Sequence, residues 1–271
     1  MNRVIPSGSI YQGLSMSGVH KAAQIGFSAE AKTYAQGRPD YPVELQSWLR
    51  DTLGVDAQGQ AIDLGAGTGK FTRLLVATGA TVTAIEPVEA MRAELAARLP
   101  AVRALPGTAE AMPLESGFAD TLLCAQAFHW FAHEAALAEI HRVLKPGGRL
   151  GLVWNVRDES VDWVAAITRI ITPYEGDTPR FHTGAWRKPF TGRYFSAPEL
   201  SCLGYTHVGT AREVIIDRFM SVSFIAALPP AEKAQVGGQL QELIDTHPAL
   251  RGRESIAFPY RTEAYRCMRV E

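Results

Sequence analysis

The sequence has few cysteines, no excess charge of either sign and no long apolar run, and each absence excludes a class of protein. Its three cysteines among 271 residues include no C-x-x-C pair, which fits neither a disulfide framework nor a zinc knuckle. We therefore expect a reducing compartment. With 27 Lys and Arg against 28 Asp and Glu, the chain lacks the field that gathers nucleic acid or an anionic membrane. A small molecule is the expected partner.

No window approaches the roughly 18 apolar residues of a membrane span, and the first 20 residues lack the apolar core of a secretory signal. Cytoplasmic residence without membrane attachment is the expectation. The Ser and Gly content at the start predicts a flexible arm over residues 1–27. Nothing in the composition predicts an oligomeric state.

Short β-rich runs alternate with amphipathic helical stretches between positions 61 and 157. The runs are "AIDL" (61–64), "TVTAIE" (81–86), "VRALPG" (102–107), "ADTLLCAQ" (119–126) and "RLGLVWNV" (149–156). "KPGG" before the last run predicts a turn. This alternation predicts an α/β core domain over 28–157, with a parallel sheet covered by helices on both faces. Ligands of such sheets bind at the carboxyl ends of the strands.

Beyond Arg157 the alternation lapses. We expect helices at 159–172 and near 211–227 and 230–246, with strands near 203–210 and within 255–270. An aromatic, proline-rich stretch occupies 173–198. Residues 158–271 are therefore predicted to form a substrate-side lid and closing strands of the same sheet.

A glycine-rich turn follows the first strand, in the segment "AIDLGAGTGK". It fails as a triphosphate loop, because Leu64 replaces the first glycine and Phe71 the magnesium-binding hydroxyl. The dinucleotide pattern G-x-G-x-x-G is weakened, because its third glycine falls on Lys70. What remains is G-x-G-x-G opening the first β-α crossover.

Acidic residues end the first two strands. Asp63 would repel a pyrophosphate but suits a cationic amino group. Glu86, 23 residues later, stands where a carboxylate accepts hydrogen bonds from ribose hydroxyls. A nucleoside without phosphates meets both demands. The alternatives are a helix cap for Asp63 and a helix start for Glu86.

The segment "PGTAEAMPL" after the third strand supplies Thr108, Ala109 and Glu110 for an adenine edge. Met112 and Pro87 are the expected apolar walls.

In these segments the sequence resembles the class I S-adenosylmethionine-dependent methyltransferases, in particular the small-molecule branch related to ubiquinone-biosynthesis and trans-aconitate enzymes. The matching segments are "AIDLGAGTGKFTRLL", "VTAIEPVEAMR", "GTAEAMPL", "ADTLLCAQAFHWF" and "EIHRVLKPGGRLGLVWNVRD". The resemblance implies a Rossmann-like, doubly wound, mostly parallel seven-stranded sheet with helical lid insertions. It also implies S-adenosylmethionine as cofactor and methyl transfer to an oxygen, nitrogen or carbon nucleophile of a small metabolite.

The resemblance assigns cofactor contacts residue by residue. The turn at Gly65, Ala66 and Gly67 passes under the methionine part, and Glu86 holds the ribose. "RPDYP" at 38–42 matches an element that closes over the methionine carboxylate through Arg38 or Tyr34, and Gln126 matches a contact to the methionine end. Many members carry Asp where this chain has Thr108, so the neighbouring backbone and Glu110 are expected to share that contact. The full cofactor set is Tyr34, Arg38, Asp63, Gly65, Ala66, Gly67, Glu86, Pro87, Thr108, Ala109, Glu110 and Gln126.

The segment "FHWFAH" and the end of the fifth strand supply the substrate-side candidates. His129, at the mouth of the site, is a candidate catalytic base, with packing or cofactor contact as the alternative. Its spacing to His133 lacks the glutamate of H-E-x-x-H and a third ligand, so no metal is expected. Trp130, Trp154 and Asn155 are substrate candidates, with core packing or helix capping as alternatives.

The basic side chains of Arg180, His182, Arg187 and Lys188 suit an acidic acceptor, although such charges are usually a solvated surface. Two rival functions stay open. One is a methyltransferase-like protein that binds the cofactor without transferring methyl, and the other is a nicotinamide-dependent oxidoreductase.

Overall fold

The structure is a computed structural model that describes residues 38–271. Its centre is one seven-stranded sheet of order β3-β2-β1-β4-β5-β7-β6. The strands β1 to β7 are Gln60–Leu64, Thr81–Ile85, Arg103–Leu105, Ala119–Ala125, Leu144–Arg157, Glu199–Gly209 and Ile256–Met268. β1 to β5 run parallel, whereas β7 pairs antiparallel with β5 and β6 antiparallel with β7. The predicted mostly parallel, seven-stranded α/β fold is confirmed. The predicted arm at 1–27 lies outside the described residues.

Five helices are labelled here α1 to α5: Thr72–Val76, Glu89–Arg98, Glu134–Val143, Asp162–Ile171 and Pro230–Thr246. Short helical segments lie before β1, at Leu45–Ser47 and Trp48–Thr52. The helix expected near 211–227 is divided into Arg212–Asp217, Arg218–Met220 and Ser223–Ala226. Within 38–271, no helix combines the length and apolarity that crossing a membrane requires.

The central strands are buried on both faces, which explains their continuous apolar runs. Along β4, Leu122 and Cys124 pack into one core cluster and Leu123 into another, since successive side chains point to opposite faces. α3 covers the first face with a helical stripe that includes Leu137 and Ile140. Because helices cover both faces of the sheet, a ligand can reach it at the carboxyl ends of the parallel strands.

The "KPGG" turn occurs inside β5 instead of before it. Ala119 pairs with Leu144 and Thr121 with Arg149, so residues 145–148 bulge out opposite one residue of β4. Gly147 has a φ of +74°, which the bulge demands and glycine tolerates.

The carboxyl-terminal part builds a second core cluster against β7. α4, α5 and the helical segments between 212 and 226 bury their apolar side chains around Phe258 and Tyr260. Trp163 of α4 meets Phe258 edge to face, with ring centroids 5.0 Å apart. This packing fixes residues 212–226 beside the end of β5, where they border the site described next.

Candidate functional site

The glycine turn joins β1 to α1 in a conformation that needs glycine. Gly65, Gly67 and Gly69 have φ angles of +72°, +57° and +84°. A Cβ on Gly65 would lie 2.8 Å from the Cβ of Ala127, closer than two carbon atoms pack. Gly65 N–H donates to the carbonyl of Ile85 at 2.9 Å, which ties the turn to the end of β2.

A cavity of about 560 Å³, open to solvent, lies over this turn. We call it the glycine-loop cavity. It is lined by Arg38, Pro39, Tyr41, Asp63, Gly65, Ala66, Gly67, Thr68, Lys70, Phe71, Ala125, Gln126 and Arg218. The structure thus brings together the described residues predicted to hold the methionine part.

Asp63 lies fully buried in the wall of this cavity, and only one of its two carboxylate oxygens has a hydrogen-bond partner among residues 38–271. Its Oδ2 accepts a hydrogen bond from Thr72 Oγ1 at 2.7 Å, whereas Oδ1 has no partner among residues 38–271. Burial raises the pKa of Asp63 to about 7, the Thr72 hydrogen bond lowers it, and the negative Glu86 raises it. An unpaired buried carboxylate oxygen beside a cavity fits a cationic amino group of a ligand.

Glu86 follows β2 and holds the glycine turn through its backbone. Oε2 accepts from Gly67 N–H and Oε1 from Val88 N–H, both at 2.8 Å. Burial raises the pKa of Glu86 against the opposing effect of these two donors. Each oxygen keeps a second acceptor site, so the predicted ribose contact is compatible with this structural role. Neither Glu86 nor Pro87 lines the glycine-loop cavity.

The 108–110 segment forms a tight turn after β3. Thr108 and Ala111 exchange backbone hydrogen bonds at 3.3 Å, and Ala109 is buried. Glu110 Oε1 lies 2.8 Å from His133 Nε2, a contact that the sequence analysis did not anticipate. The adenine contacts of Thr108, Ala109 and Glu110 stay predictions.

The segment after residue 37 is fixed over the cavity by basic side chains of the turn and α1. Asp40 Oδ1 forms ion pairs with Arg73 Nη2 at 2.7 Å and with Lys70 Nζ at 3.4 Å, and Lys70 also donates to the carbonyl of Arg38. Burial raises the pKa of Asp40, but Lys70 and Arg73 outweigh it and the net shift is downward. Arg38 lines the cavity. Tyr34 lies outside the described residues.

Asn155 secures the same segment from β5. Its Nδ2 donates to the carbonyl of Asp40 at 2.8 Å, and its Oδ1 accepts from Thr262 Oγ1 at 2.6 Å. Both ends of the amide are engaged, so Asn155 positions the 38–41 segment. It does not cap the next helix, which begins at Asp162. Its side chain also borders the second cavity.

That second cavity of about 820 Å³, open to solvent, adjoins the first. We call it the arginine cavity. It is lined by Arg38, Gln126, His129, Trp130, Trp154, Asn155, Val156, Arg157, Glu159, Arg180, Phe181, His182, Arg218, Val222 and Ser223. It therefore contains the substrate candidates Trp130, Trp154 and Asn155.

Gln126 stands at the junction of the two cavities, which share it with Arg38 and Arg218. Its φ of +57° is the only positive value of a non-glycine residue within 38–271. A left-handed backbone conformation is strained at a residue with a long side chain, and such strain concentrates at functional sites.

His129 is held as a neutral ring. Trp154 Nε1–H donates to His129 Nδ1 at 3.1 Å, so a neutral ring carries its proton on Nε2. Burial lowers the pKa of His129 to about 3, and the positive Arg180 and Arg38 lower it further. This geometry favours donation from Nε2 over the general-base role predicted from the sequence.

An aromatic cluster forms one wall of the arginine cavity. Trp154 is buried, with its ring centroid 4.6 Å from that of Phe181 and 4.8 Å from that of Trp186. Trp154 is therefore both a core residue and a wall residue. Trp130 lines the cavity beside His129, 5.3 Å from it between ring centroids.

The four basic candidates separate into two pairs. Arg180 and His182 line the arginine cavity. Arg187 lies over the ring of Trp186 and donates to Tyr265 Oη at 2.7 Å, and Lys188 is exposed. Sequence reasoning missed Arg157 and Arg218, which come from β5 and from the helical segment Arg218–Met220. No pattern connects these residues, because only the fold makes them neighbours.

The chain is similar to several methyltransferases. The family described as "Methyltransferase domain" matches residues 62–152. An uncharacterized methyltransferase-like protein of Schizosaccharomyces pombe is 37% identical over 246 residues, covering 88% of this chain and 93% of that protein. An uncharacterized methyltransferase of Mycobacterium tuberculosis is 38% identical over 242 residues, covering 89% and 95%.

Among solved structures, a candidate type II methyltransferase from Anaeromyxobacter dehalogenans superposes with a TM-score of 0.58 at 25% identity, covering 86% of this chain and 96% of that one. Full-length similarity at this level, together with the glycine turn and its acidic neighbours, identifies the family. The chain belongs to the class I S-adenosylmethionine-dependent methyltransferases.

Proposed function

We propose that the protein transfers the methyl group of S-adenosylmethionine to an oxygen, nitrogen or carbon nucleophile of a small metabolite. The observation that carries this proposal is the unpaired, buried Oδ1 of Asp63 in a cavity that joins a second cavity at Gln126. One cavity suits a ligand with a cationic amino group, and the other leaves room for an acceptor.

The residues around the glycine-loop cavity have distinct binding roles. Asp63 would accept from the ammonium of the methionine part, and Arg38 would pair with its carboxylate. Glu86 would accept from the ribose hydroxyls while it keeps the turn in place through Gly67 N–H. The 108–110 segment and Pro87 would border the adenine. The contacts of Asp63 and Arg38 select a zwitterionic amino acid tail, which a nicotinamide dinucleotide lacks.

The cofactor, when bound, supplies a methyl group on a sulfonium, which is a good leaving group. The protein's part is then alignment of the acceptor with the methyl–sulfur bond, worth roughly several kcal/mol of the barrier. Gln126 lies where the two cavities meet, so its side chain limits the approach between donor and acceptor. Nε2–H of His129 can orient an acceptor atom by donating a hydrogen bond to it.

The test is calorimetric titration with S-adenosylmethionine, S-adenosylhomocysteine and NAD, followed by incubation of methyl-labelled cofactor with a metabolite extract. We expect both sulfur nucleosides to bind, NAD not to bind, and label transfer to depend on the extract. Tight binding without turnover would favour the non-transferring alternative, and NAD binding would favour the oxidoreductase. Asp63→Asn serves as the variant in which cofactor binding, and with it methyl transfer, is weakened.

A further inference from the structure

The arginine cavity carries an excess of positive charge that its own carboxylates do not balance. Among residues 38–271, four guanidinium groups line it, from Arg38, Arg157, Arg180 and Arg218, against one carboxylate, that of Glu159. The chain as a whole has a formal net charge of −1, so this local excess is not a consequence of a basic surface. Guanidinium groups gathered in one concave site attract anions.

Arg218 has donors that the described part of the chain leaves unused. Its Nε and Nη1 are buried, and neither has a hydrogen-bond partner among residues 38–271. Its guanidinium lies over the ring of Phe219, 5.4 Å from the ring centre. A stacked guanidinium with unused buried donors suits a planar oxyanion, because leaving such donors unpaired is costly.

Two of the other three arginines, Arg157 and Arg180, are only loosely paired. Arg180 Nε lies 3.3 Å from Glu175 Oε1, and Arg157 Nη2 lies 3.7 Å from Glu159 Oε1. Charge-assisted N–H···O bonds are usually about 2.7–2.9 Å, so both guanidiniums keep capacity for a closer partner. Burial lowers the pKa of Arg180 to about 10, Glu175 raises it, and Arg157 and Arg218 lower it, which leaves Arg180 charged at neutral pH.

We propose that the arginine cavity binds the methyl acceptor as a small organic anion, a carboxylate or a phosphate, held by Arg157, Arg180 and Arg218. The apolar part of this acceptor packs against the aromatic wall, which Trp154, Phe181 and Trp130 form. That the bound anion is the methyl acceptor rests on the proposed function, whereas the anion site itself is defined by these side chains alone.

The proposed cofactor site lies next to the arginine cavity, so the charge of the cofactor affects the acceptor. A sulfonium bound in the glycine-loop cavity would add a further positive charge beside Arg38 and Arg218, which border both cavities. An anionic acceptor neutralises this charge, whereas a neutral or cationic acceptor leaves it uncompensated. Selectivity for anions therefore follows from the combined site.

The experiment measures binding of benzoate, succinate and phenyl phosphate, with benzamide as the neutral analogue of benzoate. Each probe is titrated calorimetrically with and without saturating S-adenosylhomocysteine. The variants are Arg180→Gln and Arg180→Lys, since Arg180 lines the arginine cavity only. Lys188→Gln is the matched control, because it removes one positive charge from the same segment outside both cavities.

We expect at least one anion to bind and benzamide to bind at least tenfold more weakly than the tightest anion. Arg180→Gln should weaken the anion by about 10- to 100-fold, Arg180→Lys by less, and Lys188→Gln by under about twofold. Unchanged affinity for S-adenosylhomocysteine in the Arg180 variants shows that the fold is intact. The benzoate and phenyl phosphate arms distinguish a carboxylate site from a phosphate site.

The proposal is overturned if none of the anions binds, if benzamide binds as tightly as the tightest anion, or if Arg180→Gln and Lys188→Gln weaken that anion equally. These outcomes are separate from a failure of the proposed function. If S-adenosylhomocysteine does not bind, the methyltransfer proposal fails, and the titrations without it still decide whether the anion site exists.

Discussion

The buried carboxyl of Asp63 makes the stability of the ligand-free protein depend on pH in a defined direction. Burial raises the pKa of Asp63 to about 7 in the folded protein, from the 3.8 that is ordinary for an exposed aspartate. Because the folded pKa is the higher one, the stabilising protonated form is fully present below pH 4 and is lost as pH rises through 7. The shift of about 3 pKa units corresponds to about 4 kcal/mol of unfolding free energy.

The assay is urea denaturation between pH 5 and pH 8 for the wild type and Asp63→Asn. Titrating groups that do not interact with Asp63 contribute equally to both proteins, so the difference between the two curves reports Asp63 and its coupling to Glu86. We expect Asp63→Asn to gain stability relative to the wild type as pH rises, by up to several kcal/mol at pH 8. In Thr72→Val, Asp63 Oδ2 loses its hydrogen bond. The pKa of Asp63 should rise further, so the loss of stability should occur at a higher pH than in the wild type.

Cofactor binding should show the opposite dependence, because the ammonium needs the ionised carboxylate. With a pKa near 7, the dissociation constant of S-adenosylmethionine should be about fivefold higher at pH 6 than at pH 7. Asp63→Asn should bind about 10- to 100-fold more weakly and lose this dependence. A flat pH profile in the wild type, or wild-type affinity in Asp63→Asn, would refute the assigned contact.

The other predictions concern the remaining site residues. Glu86→Ala should lower cofactor affinity by about 10- to 100-fold in calorimetry, since both the ribose contact and the brace on the glycine turn are lost; unchanged affinity refutes the role. Gln126→Gly should relieve the positive φ and stabilise the protein by up to about 1 kcal/mol in thermal unfolding, while reducing methyl transfer; a destabilised, fully active variant contradicts this. Because His129 is neutral above about pH 3, it should add no inflection to the rate profile between pH 5 and pH 8. An inflection in the wild type that disappears in His129→Gln argues against the neutral ring.

The strand and helix order of the core was predictable because each central strand is a short apolar run between turn residues. β1, β2 and β4 lie within one or two residues of the predicted bounds. The carboxyl-terminal part was harder, since its helices are short and their ends are set by packing around Phe258. A single helix expected near 211–227 became three segments, which no local pattern marks.

The glycine-loop cavity was predictable for a related reason. Its principal residues follow β1 and β4 directly, and parallel strands bring their carboxyl ends to one edge. Residue 63 lies near the end of β1 and residues 65–67 in the turn that directly follows it, so their proximity needs no long-range contact. The tautomer of His129 could not be foreseen, because it depends on Trp154, which lies 25 residues away in sequence.

The arginine cavity shows the opposite limit. Its guanidiniums come from positions 38, 157, 180 and 218, on four separate segments, and each alone resembles an ordinary surface arginine. Their convergence depends on the helical segments between 212 and 226 packing beside the end of β5. Arg157 and Arg180 line the arginine cavity but not the glycine-loop cavity, so replacing either of them changes the charge of the first cavity without altering the lining of the second. Acceptor preference can therefore vary independently of the cofactor contacts, and relatives that share the glycine turn need not share an acceptor.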